Sequence, residues 1–88
     1  MYNKSISDQL LKILKKLYQK DKAAYQSVIN KIEQVLMSEN PQHYKQLKYH
    51  LKDFKGVHVG HFVLTFKIYE DTKTISFEDF DHHDNIYS

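Results

Sequence analysis

Two pairs of histidines frame the last third of the chain. His58 and His61 stand either side of Val59-Gly60, and adjacent His82-His83 are followed by Asp84 and, four residues beyond His83, by Tyr87. With His43 and His50 they make six, all in the second half of an 88-residue sequence. Imidazole gives and takes protons near neutral pH, so two of these rings can divide the work of a general base and a general acid. The same rings, with Asp81 and Asp84, offer nitrogen and oxygen ligands of the kind metals take. Against that, adjacent His82 and His83 do not readily chelate one ion from regular structure, and no helical His-x-x-x-His pair exists. No metal and no cofactor is therefore expected, and proton transfer stands as one use of these rings beside a purely structural one. The absence of cysteine removes thiolate zinc sites and disulfides, so packing alone must hold the fold.

What such rings act on depends on the charge around them. Residues 1–67 carry 12 of the 13 lysines against five acids, a net +7, while residues 68–88 carry one lysine against six acids, a net −5. The overall +2 hides this asymmetry. A basic body suits a polyanion such as RNA, bound through counterion release, although lysines on helix faces are as often simply solvated. Arginine is absent altogether, so the bidentate fork that grips phosphate is missing and lysine supplies only point charges.

The elements that must position these groups are legible in the hydrophobic periods. Tyr2–Ile6 reads as a short edge strand. Ser7 is placed to cap a helix in which Leu10, Leu11, Ile13, Leu14, Leu17 and Tyr18 recur every three or four residues. Asp21 is placed to cap a second, with Tyr25, Val28, Ile29, Ile32, Val35 and Leu36 on one face. The short link between them makes a helical hairpin, which Asn40-Pro41 ends, because the residue before proline is pushed out of the helical region. Beyond a connector carrying His43, Tyr44, Leu47, Tyr49 and His50, the period changes to two. Strands are expected at about 54–59 and 61–69 with Gly60 marking a bend or bulge between or within them, then a turn at Glu70–Lys73 and a return strand through Phe80. The fold class is α+β: an N-terminal helical hairpin packed on a small antiparallel β-sheet, in a single domain over residues 1–88. The longest apolar stretches fall far short of the roughly 20 residues of a membrane span, and no signal segment opens the chain, so a cytoplasmic protein is expected.

These residues carry a resemblance. The lysine-rich hairpin, the Asn-Pro break, the connector Leu47-Lys-Tyr-His-Leu-Lys-Asp-Phe-Lys-Gly-Val-His-Val-Gly60, the Phe-Val-Leu-Thr-Phe strand and the terminal His-His-Asp-Asn-Ile-Tyr87 resemble the RelE/ParE superfamily of toxins from toxin–antitoxin modules. The likeness is greatest to its YafQ-like branch. It spans nearly the whole chain, but only the part from Leu47 onward is specific. The resemblance implies a microbial toxin that enters the ribosomal A site and cuts mRNA without a metal, held inactive by a cognate antitoxin. It implies His58 and His83 as the proton-transfer pair, His50 as a further catalytic histidine, and Tyr87 as a platform for a splayed base. Lys52 and Lys55 would contact the scissile phosphate, with His61 among the RNA-binding groups. The lack of arginine departs from most RelE-type members.

Each of these residues has a plainer structural reading. His58 in a strand can be a hydrogen-bonding structural residue, His61 can fix the bend after Gly60, His82 can cap the last turn, and Tyr87 can close the core. His43, after Pro41, is expected at the surface. Three function classes follow: a ribosome-dependent endoribonuclease, a ParE-like toxin that binds DNA gyrase, and a degenerate antitoxin-binding module. The clustering of histidines favours the first over the second.

Overall fold

The computed structural model describes residues 1–87. Chain order is β1 (Asn3–Ile6), α1 (Asp8–Lys20), α2 (Lys22–Leu36), β2 (Lys45–Gln46), β3 (Lys55–Val59), β4 (Phe62–Tyr69), β5 (Thr74–His82) and α3 (His83–Tyr87), with single 3₁₀ turns at Pro41–His43 and Tyr49–Leu51. The helical hairpin begins where the sequence places it. Ser7 Oγ accepts from the Leu10 backbone N–H at 3.0 Å, satisfying one of the orphan donors of the first turn. Asp21 serves both helices: its own N–H closes α1 on Leu17 O at 2.7 Å, and its carboxylate caps α2 at Ala24 N at 3.0 Å. Tyr18 and Tyr25 then meet edge to face across the link, ring centroids 5.1 Å apart.

The sheet has the order β1-β5-β4-β3-β2. Strands β3, β4 and β5 form the expected antiparallel meander, with β3 and β4 joined through Gly60-His61. Gly60 adopts φ +63°, which costs glycine little. The sheet as a whole is mixed rather than purely antiparallel, because β1 lies parallel to β5, pairing Asn3 with Thr74 through Ile6 with Phe77. Between the two strands the chain leaves β1 into the hairpin, crosses the sheet face and returns from the far edge.

The hairpin packs on one face of the sheet. Leu10 and Leu14 of α1 and Val28, Ile32 and Val35 of α2 close over Leu64, Phe66, Ile75, Phe77 and Phe80. Strand parity puts Leu64 and Phe66 on one face, but Phe77 and Phe80 are three apart and an unbroken strand would send them to opposite faces. A β-bulge resolves this. The register steps from Phe66↔Phe77 to Thr65↔Asp79, leaving Glu78 as the extra residue, and both phenylalanines reach the core. The bulge is tied to the helix start, since Ser7 Oγ donates to Glu78 O at 2.7 Å.

A second tie holds the far end of the molecule. The Glu70 carboxylate accepts from the Tyr2 hydroxyl at 2.8 Å, the Gln42 amide at 2.9 Å and the Lys73 ammonium at 2.9 Å. Those three donors, the Gln42 amide foremost, hold the Glu70 carboxyl down at about 2. Among the described residues, no helix is long and apolar enough to cross a membrane.

Candidate functional site

On the face of the sheet turned away from the hairpin, a cleft of about 510 Å³ lies between the 45–50 connector and α3. Its position follows from parity in β3. Val57 and Val59 pack with the helices, so His58 between them points to the opposite side and is exposed. Gly56 shares that side. A Cβ at Gly56 would lie 3.0 Å from both Leu47 Cδ2 and Val63 Cγ1, so glycine lets the connector lie this close without displacing either side chain, with Leu47 buried against the strand. The other wall comes from α3, whose first residue, His83, donates its backbone N–H to His61 O at 2.9 Å. His82 Nδ1 accepts from Asp84 N at 3.2 Å, so His82 does cap the last turn.

Three rings gather at the centre. His58 and His83 have centroids 6.1 Å apart, His58 and Tyr87 6.1 Å, and His83 and Tyr87 5.6 Å. Both imidazoles line the cleft, so a group that enters it meets two rings that can donate or accept protons. Behind His83, its Nδ1 lies 2.9 Å from Asp84 Oδ1. A carboxylate there favours Nδ1–H and leaves Nε2 with its lone pair. His50 lines the same cleft from the connector, together with Lys45, Lys48 and Tyr49. The Lys45 ammonium sits 4.9 Å from the Tyr87 ring centroid, close enough for a cation–π contact that holds both at the rim. Tyr49 takes φ +57°, left-handed and costly for a non-glycine residue, and its ring stands 87% exposed at the mouth.

His58, His83, His50 and Tyr87 are thus brought together from sequence positions up to 37 apart. The two lysines expected at the phosphate are not with them. Lys55 is buried, and its ammonium donates to Tyr44 O at 3.1 Å and to Gln46 Oε1 at 3.2 Å. Being three residues from His58 in one strand, it points to the other face of the sheet. Lys52 is exposed outside the cleft, and its carbonyl accepts from the Gln46 side-chain amide. His61 lies on the β3–β4 turn, stacked on His82 with centroids 6.5 Å apart, rather than in the cleft. The cleft's cations are instead Lys45 and Lys48, which the sequence reading passed over. The signal for them was available: they share the short connector with His50, and Lys45 pairs in register with Gly56, two residues from His58.

A helical hairpin on one face of a five-stranded mixed sheet and a histidine-tyrosine cleft on the other make the small α+β architecture that the resemblance to RelE/ParE toxins implies. Comparison with known proteins agrees. Residues 1–87 match the family model described as ParE toxin of type II toxin–antitoxin system, parDE, and the chain belongs to this family. It is 48% identical over 88 residues to a Methanocaldococcus jannaschii protein titled "Putative toxin RelE4", covering 99% of this chain and 92% of that one. It is 40% identical over 88 residues to an uncharacterised Methanosarcina mazei protein, covering 99% of this chain and all of the other. Two solved structures share the fold with a TM-score of 0.75 each. One is the YoeB-YefM complex from Staphylococcus aureus, 15% identical over 94% of this chain and 98% of that one. The other is the toxin–antitoxin complex RelBE2 from Mycobacterium tuberculosis, 17% identical over 93% of this chain and 98% of that one. The protein is a toxin of a toxin–antitoxin system.

Proposed function

We propose that this toxin is a metal-independent endoribonuclease acting on mRNA in the ribosomal A site, with His83 as general base and His58 as general acid. The observation that carries the assignment is the pair of imidazoles lining one cleft with centroids 6.1 Å apart, of which, among the described residues, His83 alone has a carboxylate at its Nδ1. His83 Nε2 accepts the proton of a ribose 2′-hydroxyl as its oxygen attacks the adjacent phosphorus. The bond from phosphorus to the 5′-oxygen breaks, and that oxygen takes a proton from His58. The products are a 2′,3′-cyclic phosphate and a 5′-hydroxyl end, and the two imidazoles exchange protonation states. Lys45 and Lys48 supply positive charge beside the phosphate, His50 adds a further donor, and Tyr87 offers a face for a base splayed out of the message. With no arginine in the chain, part of the charge stabilisation falls to the ribosome. The site of action is then the cytoplasm.

The partner is a cognate antitoxin. Between β1 and the outer face of the hairpin runs an apolar groove lined by Leu11, Leu14, Tyr18, Tyr25 and Ile29 and edged by Lys4 and Lys15. That composition fits an acidic amphipathic segment.

The test is expression without antitoxin, with primer-extension mapping of a translated message. Codon-phased cuts are expected, lost by about 10²–10⁴-fold in His58→Ala and in His83→Ala, the usual range for a positioned acid or base. Unimpaired cleavage in either variant overturns the assignment. Growth arrest without cuts supports the gyrase-directed reading of a ParE family member, and neither arrest nor cuts supports an antitoxin-binding module.

A further inference from the structure

We propose that His82, His83 and Asp84 form a reversible transition-metal site, of the zinc or nickel class, whose occupation switches off the His83 base. The sequence argued against such a site because adjacent residues of a regular strand or helix diverge. Here the two residues belong to different elements: His82 is the last residue of β5 and His83 the first of α3, so neither regular spacing applies between them. At this corner both rings turn toward Asp84, with His82 Nδ1 3.6 Å from Oδ2 and His83 Nδ1 2.9 Å from Oδ1. One ligand atom from each residue lies within 4.8 Å of the other two. A tetrahedral ion bonded at about 2.0–2.1 Å sets its donors roughly 3.4 Å apart, so rotation of exposed side chains closes the set.

Two imidazoles and a carboxylate select zinc, nickel or copper over magnesium or calcium, which prefer oxygen. Three protein ligands leave the remaining positions to water, and the half-exposed setting makes binding reversible.

The consequence follows from the tautomer. In the free protein Asp84 favours Nδ1–H on His83 and leaves the Nε2 lone pair to take the substrate proton. A metal on Nδ1 displaces that proton, so the neutral ring carries its hydrogen on Nε2. Nε2 then has no lone pair for the 2′-hydroxyl. The ion also takes the His82 nitrogen that accepts from Asp84 N, loosening the start of α3. The silencing rests on the nuclease reading above, whereas the metal site does not.

His82→Asn separates the two. Asparagine keeps an acceptor where Nδ1 caps α3 but is a poor zinc ligand, and His82 is outside the proton-transfer pair. Zinc chloride titrated calorimetrically into the full chain, with no RNA present, should give one site per chain. In His82→Asn its affinity should fall by more than the roughly 10–100-fold that loss of an outer-shell partner costs a metal site. Equal zinc affinity in the two proteins overturns the site. In single-turnover cleavage on programmed ribosomes, zinc should stop the wild type, magnesium should not, and His82→Asn should cleave at the wild-type rate with or without zinc. Equal inhibition of both proteins would place the effect on the ribosome and overturn the switch. If the metal-free wild type does not cleave, the nuclease reading fails and the calorimetry alone decides the metal site.

Discussion

The two faces of the sheet are built by opposite rules. On the hairpin face, Leu10, Val28, Val35, Leu64, Phe66, Ile75 and Phe77 are all fully buried, and no buried polar side-chain atom lacks a partner among the described residues. On the other face His58, His83, Tyr87, Lys45 and Lys48 are all exposed, and a two-residue strand and a five-residue helix are their main support. One face carries the main core, and the other presents the cleft with its titratable groups. Because alternation along a strand separates them residue by residue, neighbouring positions such as Val57 and His58 answer to different constraints. A change on one face should leave the property of the other largely intact.

Removing Phe66 is the severest test of the buried face. Phe66→Ala should cost about 3–5 kcal/mol, a large part of the whole stability of a domain this size, and urea denaturation would show it. A loss below about 1 kcal/mol would mean that the hairpin face is not the main source of stability. Next comes the cation pair of the open face. Lys45→Ala with Lys48→Ala should lower single-turnover cleavage by tenfold or more, each alone by less, with denaturation unchanged within about 0.5 kcal/mol. A fully active double variant would remove both lysines from the phosphate.

Lys55 sharpens the comparison because it sits in the strand of His58 yet faces the other way. Lys55→Ala should destabilise by about 1–3 kcal/mol, since it leaves the Tyr44 carbonyl without its partner, while cleavage per folded molecule stays near wild type. Loss of cleavage without loss of stability would return Lys55 to the phosphate.

The smallest effect is at Glu70, remote from both faces. Its carboxyl is held at about 2 against an ordinary 4.5, so ionised Glu70 favours the folded state. That contribution is fully present above about pH 4.5 and is lost as pH falls toward 2. Glu70→Gln should therefore melt slightly below wild type at pH 6, and the difference should shrink steadily between pH 4.5 and 2. A constant difference across that window would show that the Tyr2, Gln42 and Lys73 contacts do not depend on the charge.

Much of this was open to reading from the sequence, for local reasons. The helix caps at Ser7 and Asp21, the hairpin, the Gly60 turn and the strands about it are each set by residues within a few positions of one another. The family resemblance, carried by the segment from Leu47 onward, pointed to His50, His58, His83 and Tyr87, and all four line the cleft. Strand parity would also have excluded Lys55 from the company of His58, and the Phe77-Phe80 spacing already signalled a bulge.

What only the tertiary structure decided concerns groups whose meeting depends on distant chain. The parallel pairing of β1 with β5 joins residues 71 apart. The bulge at Glu78 resets the phase of β5, so that Asp81 pairs with Val63 on the His58 side and α3 starts where His83 can face His58. Lys45 and Lys48 became cleft residues because Gly56 admits the connector against Val63. The convergence of His82, His83 and Asp84 arises at a strand-to-helix corner, where neither a period of two nor one of 3.6 applies. Periodicity fixes which way a residue points within its own element, whereas the approach of two elements is set by the packing of everything between them.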